Sequence, residues 1–292
     1  MRVLVLGRQG QVARALVAAA GHQPSLELTA AGRETADLMK PGAADQLIRT
    51  LRPAIIINAA AFTAVDAAET QQEAALRLNA GMPGEAARAA AAIGSPFIHL
   101  STDYVFDGSR SGTYREHDVP GPVNAYGQTK LAGEEAVRAA GGASTILRVS
   151  WVYGPHGANF MHTMLRLAAS RAAVSVVDDQ VACPTPADEI ARVILSLVRA
   201  GVPGGLFHLA GPDPVNRADF ARELFAASAA AGGPSAEVQP VPGSAFPTPA
   251  VRPHNTALDS GALLAATGQA VEPRAPSLAR CMRQIAAAGW PA

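Results

Sequence analysis

The sequence of 292 residues predicts an α/β protein: a Rossmann-type, doubly wound parallel sheet with a smaller C-terminal region. Three observations predict this fold class. Apolar runs of strand length alternate with amphipathic segments of helix length, the runs are apolar on both faces, and the first run ends in a glycine-rich turn. Such alternation is typical of βαβ units, whose helices cover both faces of a parallel sheet.

The predicted strands follow one another at intervals that leave room for helices. They are RVLVL (2–6), LELTA (26–30), AIIIN (54–58), FIHLS (97–101), TILRVS (145–150) and GLFHLA (205–210). The first helix is predicted from about Val12. Because ligands of such sheets bind at the carboxyl ends of the strands, we expect a functional site there.

The first strand leads into GRQGQVARAL, in which Gly7, Gly10 and Ala13 are three residues apart. Glycine lets the backbone approach a pyrophosphate closely, and the start of the following helix offers unpaired N–H groups. The pattern indicates dinucleotide binding, although any tight turn between a strand and a helix favours glycine.

The end of the second strand bears on the choice of dinucleotide. NAD-selective sites place a carboxylate there to accept the ribose 2′-hydroxyl, whereas this strand ends TAAGRE, with small residues and Arg33. A guanidinium could bind the 2′-phosphate of NADPH, but a solvated arginine explains Arg33 equally well, so NADH stays open. Asp37 and Leu38 could flank the adenine.

The composition changes after about residue 150, where strands become sparser and prolines cluster, most densely between Pro240 and Pro253. A long Pro-rich loop is typical of a lid or a substrate loop. We therefore expect a dinucleotide-binding domain at residues 1–150, completed by parts of 174–210. Residues 151–292 would form mainly a substrate-binding region that is interleaved with it.

Charge and composition exclude several classes of partner. Lysine plus arginine and aspartate plus glutamate each number 24, so no summed basic field attracts nucleic acid or an anionic membrane. Cys183 and Cys281 lack metal-ligand spacing and fit a reducing compartment. With no signal-peptide pattern and no apolar run of membrane length, we expect a cytoplasmic protein.

Two further strand ends carry small or hydroxylic side chains. The run Ala59 to Ala61 leaves room for a flat ligand, although close helix packing explains each alanine equally well. Thr102 ends the fourth strand, where its hydroxyl could bond a substrate oxygen or simply cap the following turn.

The segment VNAYGQTKLAGE places Tyr126 and Lys130 four residues apart at a predicted helix start, so both lie on one helix face. A phenol of pKa about 10 is a poor acid–base catalyst near neutrality, but a nearby ammonium group would lower its pKa. Lys130 could also hold a ribose hydroxyl. The alternative is an exposed tyrosine–lysine pair without a catalytic role.

In this order, the motifs resemble the extended short-chain dehydrogenase/reductase superfamily and, within it, the dTDP-4-dehydrorhamnose reductases. The similar segments run nearly end to end: GRQGQVARAL, RPAIIINAAAFTAVDAAE, STDYVFDG, YGQTKLAGE, LRVSWVYG, DDQVACPT, GLFHLAG and FPTPAVRPHNTALD. The resemblance implies that a hydride passes from NADPH or NADH to the 4-keto carbon of dTDP-4-dehydro-β-L-rhamnose, which yields dTDP-L-rhamnose.

The resemblance also implies roles for single residues. Tyr126 would protonate the developing alkoxide, Lys130 would orient the ribose and tune Tyr126, and Thr102 would polarise the ketone. Asp103 and Trp151 would contact the sugar nucleotide, although Trp151 could equally be core packing. Together with Gly7, Arg33 and Ala60, the cofactor-binding residues would be Gly10, Gln11, Val12, Asp37, Leu38, Ala61, Thr63, Tyr126 and Lys130.

A dTDP-sugar carries a diphosphate, which a protein without net charge must hold with local cations. Arg252, in the sequence AVRPHN of the Pro-rich loop, is such a cation. An exposed, solubilising arginine is the alternative.

Some members of the family dimerise around a magnesium ion, one ligand of which lies in the helix after the glycine-rich loop. Here that helix reads ARALVAAAG and has no carboxylate. Asp188 and Glu189 lie near the other expected position, but the macrodipole of a predicted helix explains them. We therefore expect no structural metal, and a monomer or a weak homodimer.

Other functions stay open. Nucleotide-sugar 4,6-dehydratases follow the threonine with an Asp-Glu pair, whereas Thr102 is followed by Asp103 and Tyr104, which favours ketone reduction. A reductase of another dTDP-4-ketosugar is a second alternative. A third is a non-catalytic regulatory subunit resembling the methionine adenosyltransferase β subunit, which the intact Thr102, Tyr126 and Lys130 disfavour.

Overall fold

The computed structural model describes residues 1–291. Its strands are β1 (Arg2–Leu6), β2 (Glu27–Ala31), β3 (Ile55–Asn58), β4 (Phe97–Thr102), β5 (Ser144–Val149), β6 (Val152–Tyr153), β7 (Ala173–Val177), β8 (Val181–Ala182), β9 (Thr185–Pro186), β10 (Gly205–His208), β11 (Val215–Asn216) and β12 (Glu237–Val241). Its α-helices are α1 (Gln11–Ala20), α2 (Ala43–Leu51), α3 (Val65–Ala68), α4 (Gln72–Leu76), α5 (Met82–Ala92), α6 (Ala125–Ala139), α7 (Phe160–Ser170), α8 (Ala187–Ala200), α9 (Arg217–Ala230), α10 (Gly261–Thr267) and α11 (Arg274–Ala288).

A six-stranded sheet forms the centre of the molecule, in the order β10-β5-β4-β3-β1-β2. All of its pairings are parallel, so the carboxyl ends of its strands meet at one edge. The strand order reverses at β1, which lies between β3 and β2. This topology confirms the predicted fold class and places the switch point, where such sheets bind ligands, beside the glycine-rich turn.

Burial of β1 on both faces explains its unbroken apolar sequence. Val3 and Val5 pack in a cluster with Leu16 of α1 and Ile194 of α8. The alternate side chains of the strand, such as Leu4, pack in a separate cluster with residues of α2, α5 and α6. Because neighbouring side chains of a strand point to opposite faces, a strand covered by helices on both sides must be apolar throughout.

The C-terminal part contributes to two regions. Helix α8 and strand β10 belong to the central sheet and its helical cover, although they follow residue 150. Helices α7, α9 and α11 pack with the parallel pair β7–β12 around a separate cluster that includes Leu165, Phe220 and Met282. Within residues 1–291, no helix is long and apolar enough to cross a membrane.

Candidate active site

A cavity of about 460 Å³ opens at the carboxyl edge of the sheet, between the sheet and the C-terminal helices. Its walls include the following residues singled out from the sequence: Gly10, Gln11, Val12, Ala61, Thr63, Thr102, Asp103, Tyr126, Trp151 and Arg252. They come from the ends of β1, β3, β4 and β5, from the start of α6 and from the Pro-rich loop.

The glycine-rich turn has the geometry that an anionic ligand needs. Gly7 has φ +104°, and a Cβ added there would lie 3.1 Å from the backbone nitrogen of Ala60, so only glycine fits. Gly10 precedes α1, no side chain caps this helix start, and its first turn has no acidic residue. The unpaired N–H groups and the positive end of the helix dipole therefore face an open, exposed position.

The end of β2 carries an acid that sequence reasoning missed. Glu34 accepts a hydrogen bond from Arg8 Nη1 at 2.5 Å. A hydrogen bond from its own backbone and the bond from Arg8 lower the pKa of Glu34. Arg33 is exposed beside this pair. Two arginines and one paired carboxylate thus stand where the cofactor's ribose is expected.

The residues expected near the adenine lie beyond the cavity. Asp37 accepts a hydrogen bond from the backbone N–H of Met39, and Leu38 is buried in the cluster formed by α2 and α5. Ala60 donates its backbone N–H to the buried Asn58 side chain, which holds the turn after β3 in place. Their predicted cofactor contacts stay predictions.

Thr102 and Asp103 form a buried polar group at the end of β4. The Thr102 hydroxyl donates to Asp103 Oδ1 at 3.0 Å. Asp103 Oδ2 accepts bonds from the hydroxyls of Ser150 at 2.9 Å and Thr256 at 2.6 Å. Burial raises the pKa of Asp103, and these hydroxyls oppose that effect. Asp103 therefore ties β4 to β5 and to the C-terminal segment, a role that its sequence position did not reveal.

Helix α6 carries Tyr126 to the cavity wall. Asn124 caps the helix by accepting the backbone N–H of Gly127 at 2.8 Å. A Cβ at Gly127 would lie 2.2 Å from the carbonyl oxygen of Tyr104, so the helix start approaches this backbone as closely as glycine allows. The ring of Tyr126 packs edge-on against Tyr104, with centroids 5.8 Å apart.

Lys130 lies one helical turn after Tyr126 on the same face, but deeper. Its side chain is 2% exposed, and its Nζ donates to the carbonyl oxygen of Leu100 at 2.6 Å. Burial lowers the pKa of Lys130 to about 8, and the charge of Glu134 opposes this effect. Burying an ammonium group near neutral hydrogen-bonding partners weakens its hold on the proton.

The pKa of Tyr126 moves in the direction opposite to the prediction from its sequence. Burial raises it above its ordinary value, while the hydroxyl of Thr102 acts in the other direction. Desolvation is the largest effect, and the charge of Asp103 also raises this pKa. Tyr126 therefore keeps its proton throughout the neutral range.

A buried ion pair lies below Lys130 on the same helix face. Glu134 accepts two hydrogen bonds from Arg148, both at 2.8 Å, and one from Ser101 at 2.6 Å. Although burial acts to raise it, the pKa of Glu134 is lowered by the bonds and the charge of Arg148. The pair joins α6 to β5, and sequence reasoning missed it because its members lie on two different elements, 14 residues apart.

Trp151 has a backbone conformation that side chains seldom adopt. Its φ is +38°, in the left-handed region, which costs a non-glycine residue about 1–2 kcal/mol. The guanidinium of Arg217 stacks over its ring at 4.0 Å from the centroid. Sequence reasoning missed Arg217, although a cation in the first turn of a helix opposes the macrodipole and is in itself a signal.

Arg252 stands between this cavity and a second one of about 860 Å³, which Phe246 and Pro247 help to line. Its Nη2 donates to Asp66 Oδ2 at 2.6 Å. Arg217 borders both cavities as well. Two guanidinium groups therefore mark the boundary between them.

The two acids considered as metal ligands are held by arginines of the chain itself. Asp188 accepts from Arg280 Nε at 2.7 Å, and Glu189 accepts two bonds from Arg192. Within the part of the chain that the structure describes, no three His, Cys, Asp or Glu side chains are grouped to hold a metal. The absence of a structural metal stays a prediction.

The parallel sheet, the glycine-rich turn and the Thr102–Tyr126–Lys130 arrangement define a dinucleotide-dependent oxidoreductase of the extended short-chain dehydrogenase/reductase class. Comparison with known proteins gives the family. The family model described as "RmlD substrate binding domain" matches residues 1–287. The dTDP-4-dehydrorhamnose reductase of Sinorhizobium fredii is 41% identical over 264 residues, which cover 88% of each chain.

Solved structures agree. The dTDP-4-dehydrorhamnose reductase of Clostridium acetobutylicum has a TM-score of 0.92 and 32% identity, and the match covers 98% of this chain and 100% of that one. The enzyme of Bacillus anthracis, in complex with NADP, has a TM-score of 0.88 and 30% identity over 99% of both chains. The chain belongs to the dTDP-4-dehydrorhamnose reductase family, which confirms the resemblance inferred from its motifs.

Proposed function

We propose that the chain reduces the 4-keto group of dTDP-4-dehydro-β-L-rhamnose with NADPH, which yields dTDP-L-rhamnose. One observation carries the proposal. A single cavity brings the glycine-rich turn, the hydroxyls of Thr102 and Tyr126, and the guanidinium groups of Arg217 and Arg252 together. The turn can bind a dinucleotide, and the two hydroxyls can hydrogen-bond to a ketone oxygen. The two guanidinium groups can bind a diphosphate.

The residues present fit the cofactor. The uncapped start of α1 borders the cavity and accommodates a pyrophosphate, which would contact Gly10, Gln11 and Val12. Arg8 in the glycine-rich turn and Arg33 after β2 favour a 2′-phosphate and hence NADPH, because Arg8 already neutralises Glu34. When bound, the reduced nicotinamide supplies the hydride for the 4-keto carbon.

Tyr126 is proposed as the proton donor. Its phenol holds the proton at neutral pH and borders the cavity beside Thr102, so both hydroxyls can approach one carbonyl oxygen. Thr102 donates a hydrogen bond to that oxygen as negative charge develops, and Tyr126 delivers the proton to it. To donate to the substrate, the Thr102 hydroxyl must give up its hydrogen bond to Asp103 Oδ1.

Lys130 is proposed to hold the ribose and to assist Tyr126 once the site is filled. Its ammonium donates to the carbonyl oxygen of Leu100. An ammonium group has three N–H donors, so two would remain available to ribose hydroxyls placed beside it. A pKa of about 8 leaves most of the Lys130 population charged at pH 7.

The substrate's diphosphate is assigned to the boundary between the two cavities, where Arg252 and Arg217 stand. The sugar then points toward Tyr126 across the ring of Trp151, and the nucleoside enters the cavity beside Phe246. Arginine suits this position because its planar fork matches phosphate oxygens.

The domain organisation and the cell location are parts of the same proposal. We assign dinucleotide binding to residues 1–150 with parts of 174–210, and substrate binding mainly to 151–292. Helix α8, which packs on α1, supports this interleaving. A cytoplasmic monomer or weak homodimer is consistent with two buried free thiols.

The decisive experiment measures NADPH and NADH oxidation at 340 nm with enzymatically prepared dTDP-4-dehydro-L-rhamnose, and identifies the sugar product by its stereochemistry. Formation of dTDP-L-rhamnose with faster NADPH turnover is the expected result. A different product epimer would reassign the substrate to another dTDP-4-ketosugar. No oxidation by a folded chain that binds both cofactors would favour the regulatory subunit instead.

A further inference from the structure

Asp66 lies on the short helix α3, next to Val65 of the cavity wall, and hydrogen-bonds to the Pro-rich loop. Its Oδ2 accepts a hydrogen bond from Arg252 Nη2 at 2.6 Å, and its Oδ1 accepts one from the backbone N–H of Ala250 at 3.3 Å. One carboxylate therefore holds both ends of the segment 250–252. Asp66 belongs to the motif AFTAVDAAE, and none of the roles assigned so far uses it.

This contact sets the position of Arg252. The side chain of Arg252 is 21% exposed and that of Asp66 is 43% exposed. Within residues 1–291, Asp66 is the only side chain that hydrogen-bonds to the guanidinium of Arg252. A guanidinium carries five N–H donors, so the others stay available to an anion at the boundary of the two cavities.

The same segment is bonded to the start of the helix that carries Tyr126. Asn124 Nδ2 donates to the carbonyl oxygen of Val251 at 2.8 Å. Glu69, at the end of α3, accepts the backbone N–H of Ala125 at 2.9 Å. Helix α3, the loop and the start of α6 thus form one hydrogen-bonded unit around Tyr126.

We propose that Asp66 is a positioning residue, which holds Arg252 in the geometry that receives the diphosphate of the nucleotide sugar. The inference rests on the proposed function, since the diphosphate is part of its substrate. Asp66 acts through Arg252, because a carboxylate in direct contact with a diphosphate would repel it. Holding the long arginine side chain in one rotamer lowers the entropy lost when the ligand binds.

The test measures the dissociation constant of dTDP by isothermal titration calorimetry on the full chain. Asp66→Asn keeps the size of the side chain and an acceptor for Ala250 but removes the charge. We expect dTDP to bind roughly two- to fivefold more weakly, the range for an exposed ion pair. Asp66→Glu, which keeps the charge, should restore most of the affinity. NADP⁺ affinity, which also reports correct folding, should not change.

In steady-state kinetics, Asp66→Asn should raise the KM for the sugar nucleotide by a similar factor and leave kcat nearly unchanged. This split is expected because Arg252 binds the diphosphate equally in the ground state and in the transition state. Arg252→Ala should weaken dTDP binding by roughly tenfold or more, as expected for the loss of a charged hydrogen bond.

A double-mutant cycle separates positioning from a general structural role. In the Arg252→Ala background, Asp66→Asn should have no further effect on dTDP affinity. Asp259→Asn is the matched control. Asp259 likewise accepts one arginine, Arg115, and one backbone N–H, that of Gly261, but it lines neither cavity. Its substitution should leave dTDP binding unchanged.

Three results would refute the positioning role of Asp66: unchanged dTDP affinity in Asp66→Asn, tighter affinity, or an equal loss with and without Arg252. Tighter binding would show that the carboxylate competes with the diphosphate. If the unmodified chain binds NADP⁺ but no dTDP, the proposed substrate class itself is wrong, and the role of Asp66 falls with it.

Discussion

Replacing Lys130 by methionine should make the protein more stable at pH 7 while it abolishes the reductase activity. Methionine has a similar length and fills the same buried space without a charge. Lys130 is 2% exposed, and its ammonium donates to one acceptor, the carbonyl oxygen of Leu100. The carboxylate of Glu134, whose charge acts on Lys130, is already engaged by Arg148.

The size of the effect follows from the lowered pKa. Each tenfold change in a protonation equilibrium corresponds to about 1.4 kcal/mol. With a pKa of about 8 in the folded chain and about 10.4 when unfolded, charged Lys130 destabilises the fold by on the order of 3 kcal/mol at pH 7. Methionine also loses the bond to Leu100, about 1–2 kcal/mol. We therefore expect a net gain of about 1–2 kcal/mol.

The pH dependence tests the cause. Between pH 8 and 10.4 the unfolded chain binds a proton at Lys130 that the folded chain has released, so the stability of the unmodified protein rises with pH. The gain in free energy of unfolding from Lys130→Met should therefore vanish by about pH 9.5. Urea unfolding of both proteins, followed by tryptophan fluorescence at pH 7 and 9.5, measures their free energies of unfolding. A variant that is less stable at pH 7, or a difference independent of pH, would refute the reasoning.

Three more predictions concern the site. Tyr126→Phe should lower kcat by roughly 10²–10⁴ and leave NADP⁺ and dTDP affinities unchanged, because only the proton donor is lost; unchanged turnover would remove Tyr126 from the mechanism. Thr102→Val should lower kcat by roughly 10²–10³ if its hydroxyl stabilises the developing oxyanion, and a mere rise in KM would contradict that role. Gly7→Ala should destabilise the fold by about 1–3 kcal/mol and weaken NADP⁺ binding, because its φ is +104° and the Cβ would crowd Ala60; calorimetry that detects neither effect would contradict this account.

Several parts of the fold follow from local properties of the sequence. The unbroken apolar run of β1 predicts a strand covered on both faces, and the structure buries it between two helical layers. The glycine spacing predicts the tight turn before α1, since a positive φ at Gly7 is an intrinsic preference of that residue. The four-residue spacing of Tyr126 and Lys130 predicts a shared helix face in the same way.

The chemistry around those residues depends on partners that no local pattern indicates. The helical spacing of Tyr126 and Lys130 predicted a lowered pKa for Tyr126, and this direction is wrong, because burial raises that pKa. Helical spacing places two side chains on one face but says nothing about depth. The carbonyl of Leu100, thirty residues away in sequence, binds the ammonium, and burial then dominates both pKa values.

The sequence by itself determined the fold class, the family and the chemical types of residue at the strand ends, because periodicity, glycine conformation and helix spacing act over a few residues. Only the tertiary structure decided what each polar group contacts. Asp103 hydrogen-bonds to Thr256, which is 153 residues away in the sequence, and Asp66 hydrogen-bonds to Arg252, which is 186 residues away. Such contacts arise when packing of the apolar layers brings distant segments together, and their geometry cannot be read from the segments alone.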